Sequence, residues 1–187
     1  KYDWQGFEAM KAKDVNKAKE LYAKALAVEP TNETAALGLA EIYLTEARVD
    51  SLRADRLPKA AKLLDTFIAA YPNHETANYM KAHYYLMNGE TNKALELCEK
   101  VMFDNYKYEG AYMLAAQAKL QTGDLNGAED YLTRLLNTGR LSDNLVKMLL
   151  QIFKFQGLDD ANAYVKLYSL LEQYYLKIGE KKAAAEY

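Results

Sequence analysis

Few side chains in this 187-residue sequence could do chemistry on their own. The candidates are His74 and His83, the single cysteine Cys98, and the adjacent carboxylates Asp159 and Asp160. Two histidines ligate one metal from a helix when they stand a turn apart on the same face. His74 and His83 are nine positions apart, with no second ligand in the pattern of either. One cysteine cannot form an internal disulfide. Asp159–Asp160 reads as a helix start rather than an acid–base pair, because carboxylates favour the positive end of the helix dipole. The sequence contains no P-loop, no dinucleotide glycine fingerprint, no H-E-x-x-H and no paired-cysteine motif. Asn32-Glu33-Thr34 matches a glycosylation acceptor, but a helix start accounts for it equally well. The expectation is a chain without catalytic residues, metal site or cofactor, and not an enzyme.

The bulk properties agree. Half the residues are hydrophobic and the formal net charge is −2, with the two signs interleaved. Nucleic-acid binders carry clustered Lys/Arg excess, so no nucleic acid is expected as a partner. No run approaches the roughly 20 apolar residues of a membrane span. Glycine and proline are scarce, and β-branched residues do not alternate, so the composition reads as all-α. The sequence begins at Lys1 without an initiator methionine and shows no need for thiols. These features lean the expectation toward a bacterial cell-envelope or periplasmic protein over a cytoplasmic one.

The apolar residues imply helices of one repeating kind. Ala18, Tyr22 and Ala25 fall at i, i+4 and i+7, on one helical face, and Pro30 ends the segment. The pattern returns as Ala60–Leu64–Phe67–Pro72, Ala94–Cys98–Val101 and Ala128–Leu132–Leu135. Cys98 thus occupies the place of Tyr22, Leu64 and Leu132 and is expected to be a buried apolar side chain. Preceding helices carry small residues at Gly6, Ala40, Ala82 and Ala116. Gly89, Gly123 and Gly157 are spaced by 34 and are expected to end helices with positive φ. Asp14, Thr31 or Asn32, Glu90 or Thr91, and Asp124 are placed to start helices. Between Tyr43 and Ala60 eight extra residues intervene, around RVDSLRAD. They predict a longer helix or a helical elbow, with Pro58 near the first turn of the next helix.

A 34-residue period with this register of small, aromatic, small and proline resembles the tetratricopeptide repeat (TPR) family. The repeats run about 1–32, 33–74 with an insertion near 47–55, 75–108 and 109–142, then a degenerate unit 143–178 in one domain spanning 1–187. One long helix is expected from Asp159 to about Ile178, then a separate helical piece over 180–187. Tyr106 and Arg140 replace the closing proline, and Leu150 stands where the small residues stood. The resemblance implies antiparallel helix pairs stacked in a right-handed α-solenoid. It further implies that the first helix of each pair lines a concave groove holding a peptide or helical segment of a partner protein.

By that geometry the groove stripe lies at i, i+4, i+8 of each first helix. It reads Leu37/Glu41/Thr45, Tyr79/His83/Met87, Met113/Gln117/Gln121 and Lys147/Gln151/Phe155. Packing against neighbouring helices is the competing role for Tyr79, Met87 and Met113. Tyr84, Tyr85, Tyr174 and Tyr175 are read as packing residues. Family members that clamp the acidic C-termini of chaperones need Lys, Asn and Arg at set positions. Here these hold Asp3, Phe7, Gly38, Thr76 and Met80, or one unit on Leu37, Glu41, Met80, Gly110 and Leu114, so a clamp of that type is not expected. The leading functional expectation is a non-enzymatic scaffold or adaptor. The alternative is a structural spacer or self-association module within a larger protein.

Overall fold

Helices begin where short polar side chains can accept a backbone N–H. Asp14 accepts from Lys17 N–H at 3.1 Å, Asn32 from Ala35 at 3.1 Å and Asp124 from Gly127 at 2.8 Å. Ser142 Oγ does the same for Leu145. Each satisfies a donor that the first helical turn leaves orphaned. The computed structural model describes residues 1–185, and all ten of its regular elements are α-helices. They are α1 (Tyr2–Lys11), α2 (Val15–Val28), α3 (Glu33–Glu46), α4 (Asp50–Ala70), α5 (Glu75–Met87), α6 (Thr91–Asp104), α7 (Glu109–Gln121), α8 (Leu125–Asn137), α9 (Asp143–Phe155) and α10 (Asp160–Ala185).

The helices gather into two compact units, Lys1–Asp104 and Asn105 onward. In the first, α1 pairs with α2, α3 with α4 and α5 with α6. The pairs stack through α2 on α3 and α4 on α5, and the first helices α1, α3 and α5 also touch in turn. In the second, α7 pairs with α8, α8 meets α9, and α10 packs on α9.

The residues of the repeating pattern form the contacts within these pairs. Ala18, Tyr22, Ala60, Leu64, Phe67, Ala94, Cys98, Val101, Ala128, Leu132 and Leu135 are all buried. Burial pushes the Cys98 thiol up to about 12, so it stays protonated and inert. A close contact surrounds Tyr22, whose ring lies between Gly6 of α1 and Gly38 of α3. A Cβ at Gly6 would stand 2.6 Å from ring Cδ1, and one at Gly38 would stand 2.7 Å from Cε2. Gly89, Gly123 and Gly157 end their helices at φ 79°, 76° and 87°, as expected. At the matching turn of the first pair the left-handed conformation falls on Lys13, with φ 61°.

Two expectations change. The insertion near 47–55 forms a short turn at 47–49 and then the first turns of α4, the longer helix expected, but α4 runs 21 residues and Pro58 lies in its interior rather than in a first turn. An interior proline removes one backbone hydrogen bond and costs about 3 kcal/mol. Side-chain contacts of the added turns offset that cost. Leu57 is buried with Ala40, Leu44, Ala47 and Leu64, and Arg53 Nε donates to the Ala47 carbonyl at 3.2 Å. Arg56 Nε pairs with Glu46 at 2.5 Å, and Lys19 of α2 reaches the same carboxylate at 2.6 Å. At the C-terminus, α10 continues through Gly179 instead of breaking after Ile178. An interior glycine costs only about 1 kcal/mol relative to alanine, and the subsequent Glu, Lys and Ala residues are strong helix formers. Residues 186–187 of the expected terminal piece lie outside the described residues.

Gly38→Ala is expected to destabilise by about 1–3 kcal/mol in denaturant melts, despite alanine's better helix propensity, because it overpacks the Tyr22 ring. In a Tyr22→Leu background the same change is expected to cost far less, and equal costs would refute the wedge. Glu46 offers a second test. Burial pushes its carboxyl up, but Lys19 and Arg56 outweigh that effect and leave it below its ordinary 4.5. Its contribution to stability is therefore full above 4.5 and is lost as pH falls through the lower folded value. Glu46→Gln is expected to be less stable than the parent near neutral pH, with the gap closing on acidification. A gap independent of pH would refute the ionic account.

Candidate functional site

The stripe residues of the first unit sit on α3 and α5, which touch one another. Leu37 on α3 is half-buried against the cluster of Ala40, Leu44 and Leu64, while Glu41 and Thr45 are exposed. Tyr79 and Met87 on α5 are half-buried against the same cluster. Packing and exposure are therefore combined in one side chain: each of the three has one flank held by the core and another left open. An aromatic or thioether fixed in this way loses little rotamer entropy on contact with a ligand.

His83 lies between Tyr79 and Met87 on α5. Its Nδ1 is buried without a hydrogen-bond partner. Burial holds its pKa below the ordinary 6.5, and the Arg48 charge adds to the effect. The ring is thus neutral near pH 7. His74 has a different role. Its Nδ1 accepts from Ala77 N–H at 3.3 Å and its Nε2 faces the Glu33 carboxylate at 3.2 Å, so it caps α5. Among the described residues, no group of three or more His, Cys, Asp or Glu could hold a metal ion.

In the second unit, Met113 on α7 is half-buried, and Gln117 and Gln121 are exposed. On α9, Lys147, Gln151 and Phe155 are exposed, and Phe155 shows 61% of its surface.

The structure adds features outside the stripe. Phe7 and Lys11 stand 34 residues before Glu41 and Thr45, so the same count reaches them on α1. The Lys11 ammonium lies 4.6 Å from the Phe7 ring centre and 5.8 Å from Trp4, which is largely exposed. The insertion contributes a cleft of about 400 Å³, lined by Arg53, Leu57 and Pro58 of α4 and by Tyr84 and Met87 of α5. Its eight-residue offset breaks the repeat count, and no periodic signal points to it. On the other flank of α5, Lys81 is buried, paired with Asp65 at 2.8 Å and lying 4.4 Å from the Tyr84 ring centre. Tyr84, Tyr85 and Tyr174 are half-buried, whereas Tyr175 is 60% exposed, with its ring edge-on to that of Tyr174 at 5.2 Å.

Residues 9–51 match the family described as tetratricopeptide repeat, and residues 54–135 match that described as anaphase-promoting complex, cyclosome, subunit 3. The chain carries tetratricopeptide-type repeats. Solved TPR structures share its fold. A crystal structure of MamA superposes with TM-score 0.68 at 17% identity, covering 94% of this chain and 96% of that one. A tetratricopeptide repeat protein from Parabacteroides merdae gives 0.66 at 20% identity, over 99% of this chain and 75% of the other. PilW, a type IV pilus biogenesis factor, gives 0.56 at 20%, over 93% and 92%. No curated protein matches the sequence. The fold class is that of the TPR solenoids, built from helix pairs. Among the described residues no helix is long and apolar enough to cross a membrane.

His83 provides a pH test of this surface. Because its folded pKa is depressed, protonation is opposed in the native state. Stability is full above the ordinary 6.5 and declines as pH falls below it. His83→Gln is expected to flatten the stability profile between about pH 7 and about pH 5, measured by urea melts. An unchanged slope would show that the ring titrates freely.

Proposed function

We propose that this TPR protein is a non-catalytic adaptor that holds a peptide or helical segment of a partner protein against its first helices. The TPR fold supports a protein-interaction scaffold in general. The observation that carries the finer reading is the anchoring of Leu37, Tyr79 and Met87, each fixed on the core yet partly open. Polar Glu41, Thr45 and His83 lie along the same two helices and suit the backbone of a bound segment. In the second unit Met113, Gln117, Gln121, Lys147, Gln151 and Phe155 form the corresponding set. Fully burying one such apolar side chain contributes roughly 1.5–3 kcal/mol, and ordering each side chain of a flexible peptide opposes it by about 0.5–1.5 kcal/mol. Three anchors thus give at most about 7.5 kcal/mol, short of the roughly 8 kcal/mol of a micromolar complex, so these contacts suit weak and readily reversible capture.

The test uses peptides selected from a phage-displayed random library on the intact chain. The variant Glu41→Lys with Thr45→Arg changes only exposed residues. It is expected to weaken the selected peptides at least tenfold by fluorescence anisotropy while leaving the circular-dichroism melt unchanged. Peptides that bind parent and variant equally would place recognition away from α3 and overturn the reading for this groove.

A further inference from the structure

We propose that the outer face of α10 is a homodimerisation surface that docks α10 of a second copy of this chain, antiparallel, about a two-fold axis near residue 170. The inner face of α10 is already occupied. Ala163 and Leu167 are buried, and Lys166 Nζ pairs with Glu129 of α8 at 2.8 Å. The Tyr174 hydroxyl donates to the Gly139 carbonyl at 3.1 Å, and Lys177 Nζ donates to Asn137 at 3.1 Å. The other side carries Tyr164, Val165, Tyr168, Tyr175 and Leu176, which are 46% to 66% exposed. Single exposed apolar residues are ordinary on a protein surface, but a row of five along one helix is an unpartnered patch.

The order of these residues indicates the occupant. An isologous contact requires a surface complementary to itself. Counted from residue 170, Tyr164 and Leu176 are equidistant, as are Val165 and Tyr175, and Tyr168 and Glu172. An antiparallel copy therefore sets Tyr164 against Leu176 and Val165 against Tyr175. It also brings the Tyr168 hydroxyl within reach of the Glu172 carboxylate, which accepts its hydrogen bond. Ala161 and Gly179, equidistant again, let the two backbones approach at the ends. A parallel copy would stack Glu172 on Glu172 and lose that complementarity. The five side chains expose on the order of 500 Å², most of the roughly 800 Å² per partner of a standard interface, so the dimer is a weak one. This surface is separate from the stripe on α3 and α5, and its failure would leave the adaptor reading intact.

Sedimentation equilibrium on the intact chain is expected to show a concentration-dependent dimer. Val165→Glu and Tyr168→Glu, both at exposed positions, are expected to raise the dissociation constant at least tenfold with an unchanged melt. Engineered cysteines test the direction. Residues 165 and 175 lie about 15 Å apart along a helix, so like positions of an antiparallel pair stand beyond disulfide reach. A mixture of Val165→Cys and Tyr175→Cys chains is expected to form a disulfide-linked dimer on mild oxidation, and neither variant alone is expected to do so. Buried Cys98 does not interfere. Cross-linking of Val165→Cys alone would overturn the antiparallel arrangement. A monomer at every concentration would overturn the proposal.

Discussion

The first unit is built around a steric constraint, the ring of Tyr22 held between two glycines. Tyr22 of α2 is almost wholly buried, and Gly6 and Gly38 leave no room for even one carbon more beside it. The stacking of α2 against both α1 and α3 depends on that fit. The next pair solves the same problem with other volumes. Leu64 takes the place of Tyr22, and Ala40 and Met80 stand where Gly6 and Gly38 stood. A smaller wedge is matched by larger walls, so the space between helices is filled in both. Protein interiors are packed closely enough that such exchanges must compensate. The frame constrains volume summed over three helices, not identity at one position.

Much of the fold was legible because the frame uses residues with strong local meaning. Small residues at 34-residue spacing, N-capping Asp and Asn, and helix-ending glycines act within a turn or two of themselves. Asp14, Asn32, Asp124 and Gly89 each took the predicted role. The departures depend on contacts that sequence spacing does not encode. Pro58 argued locally for a helix start, yet Leu57 in the core and the Lys19–Glu46–Arg56 bridge hold in place the helical turns that precede it. Gly179 argued for a break, but one glycine among good helix formers carries too small a penalty to impose one.

The candidate site was legible only in outline. Counting from the frame placed every stripe residue on a first helix. Counting cannot say how far Leu37, Tyr79 or Met87 sinks toward the core, because that depends on the neighbouring pair. Nor could it reveal that His83 keeps a buried nitrogen without a partner, or that the cleft beside Met87 is walled by the insertion. Phe7 and Lys11 obey the count as well, one unit before Glu41 and Thr45, on a helix with no earlier repeat against which to set its register.

Two roles that the sequence pattern merges are separate in the structure. Second helices carry the wedge residues, and their tolerance for change is set by volume. First helices carry one flank of small residues toward the wedge and another toward the open surface, so a residue such as Tyr79 answers to both. A substitution there alters recognition only if it spares the buried flank, and for that reason the exposed pair Glu41 and Thr45 reports on binding more cleanly than Tyr79 does. The same reasoning distinguishes α10. Its inner flank packs on α9 and reaches Glu129 of α8 through Lys166, yet its outer flank leaves Tyr164, Tyr168 and Tyr175 open. A helix apolar on two sides is built to be covered on two sides.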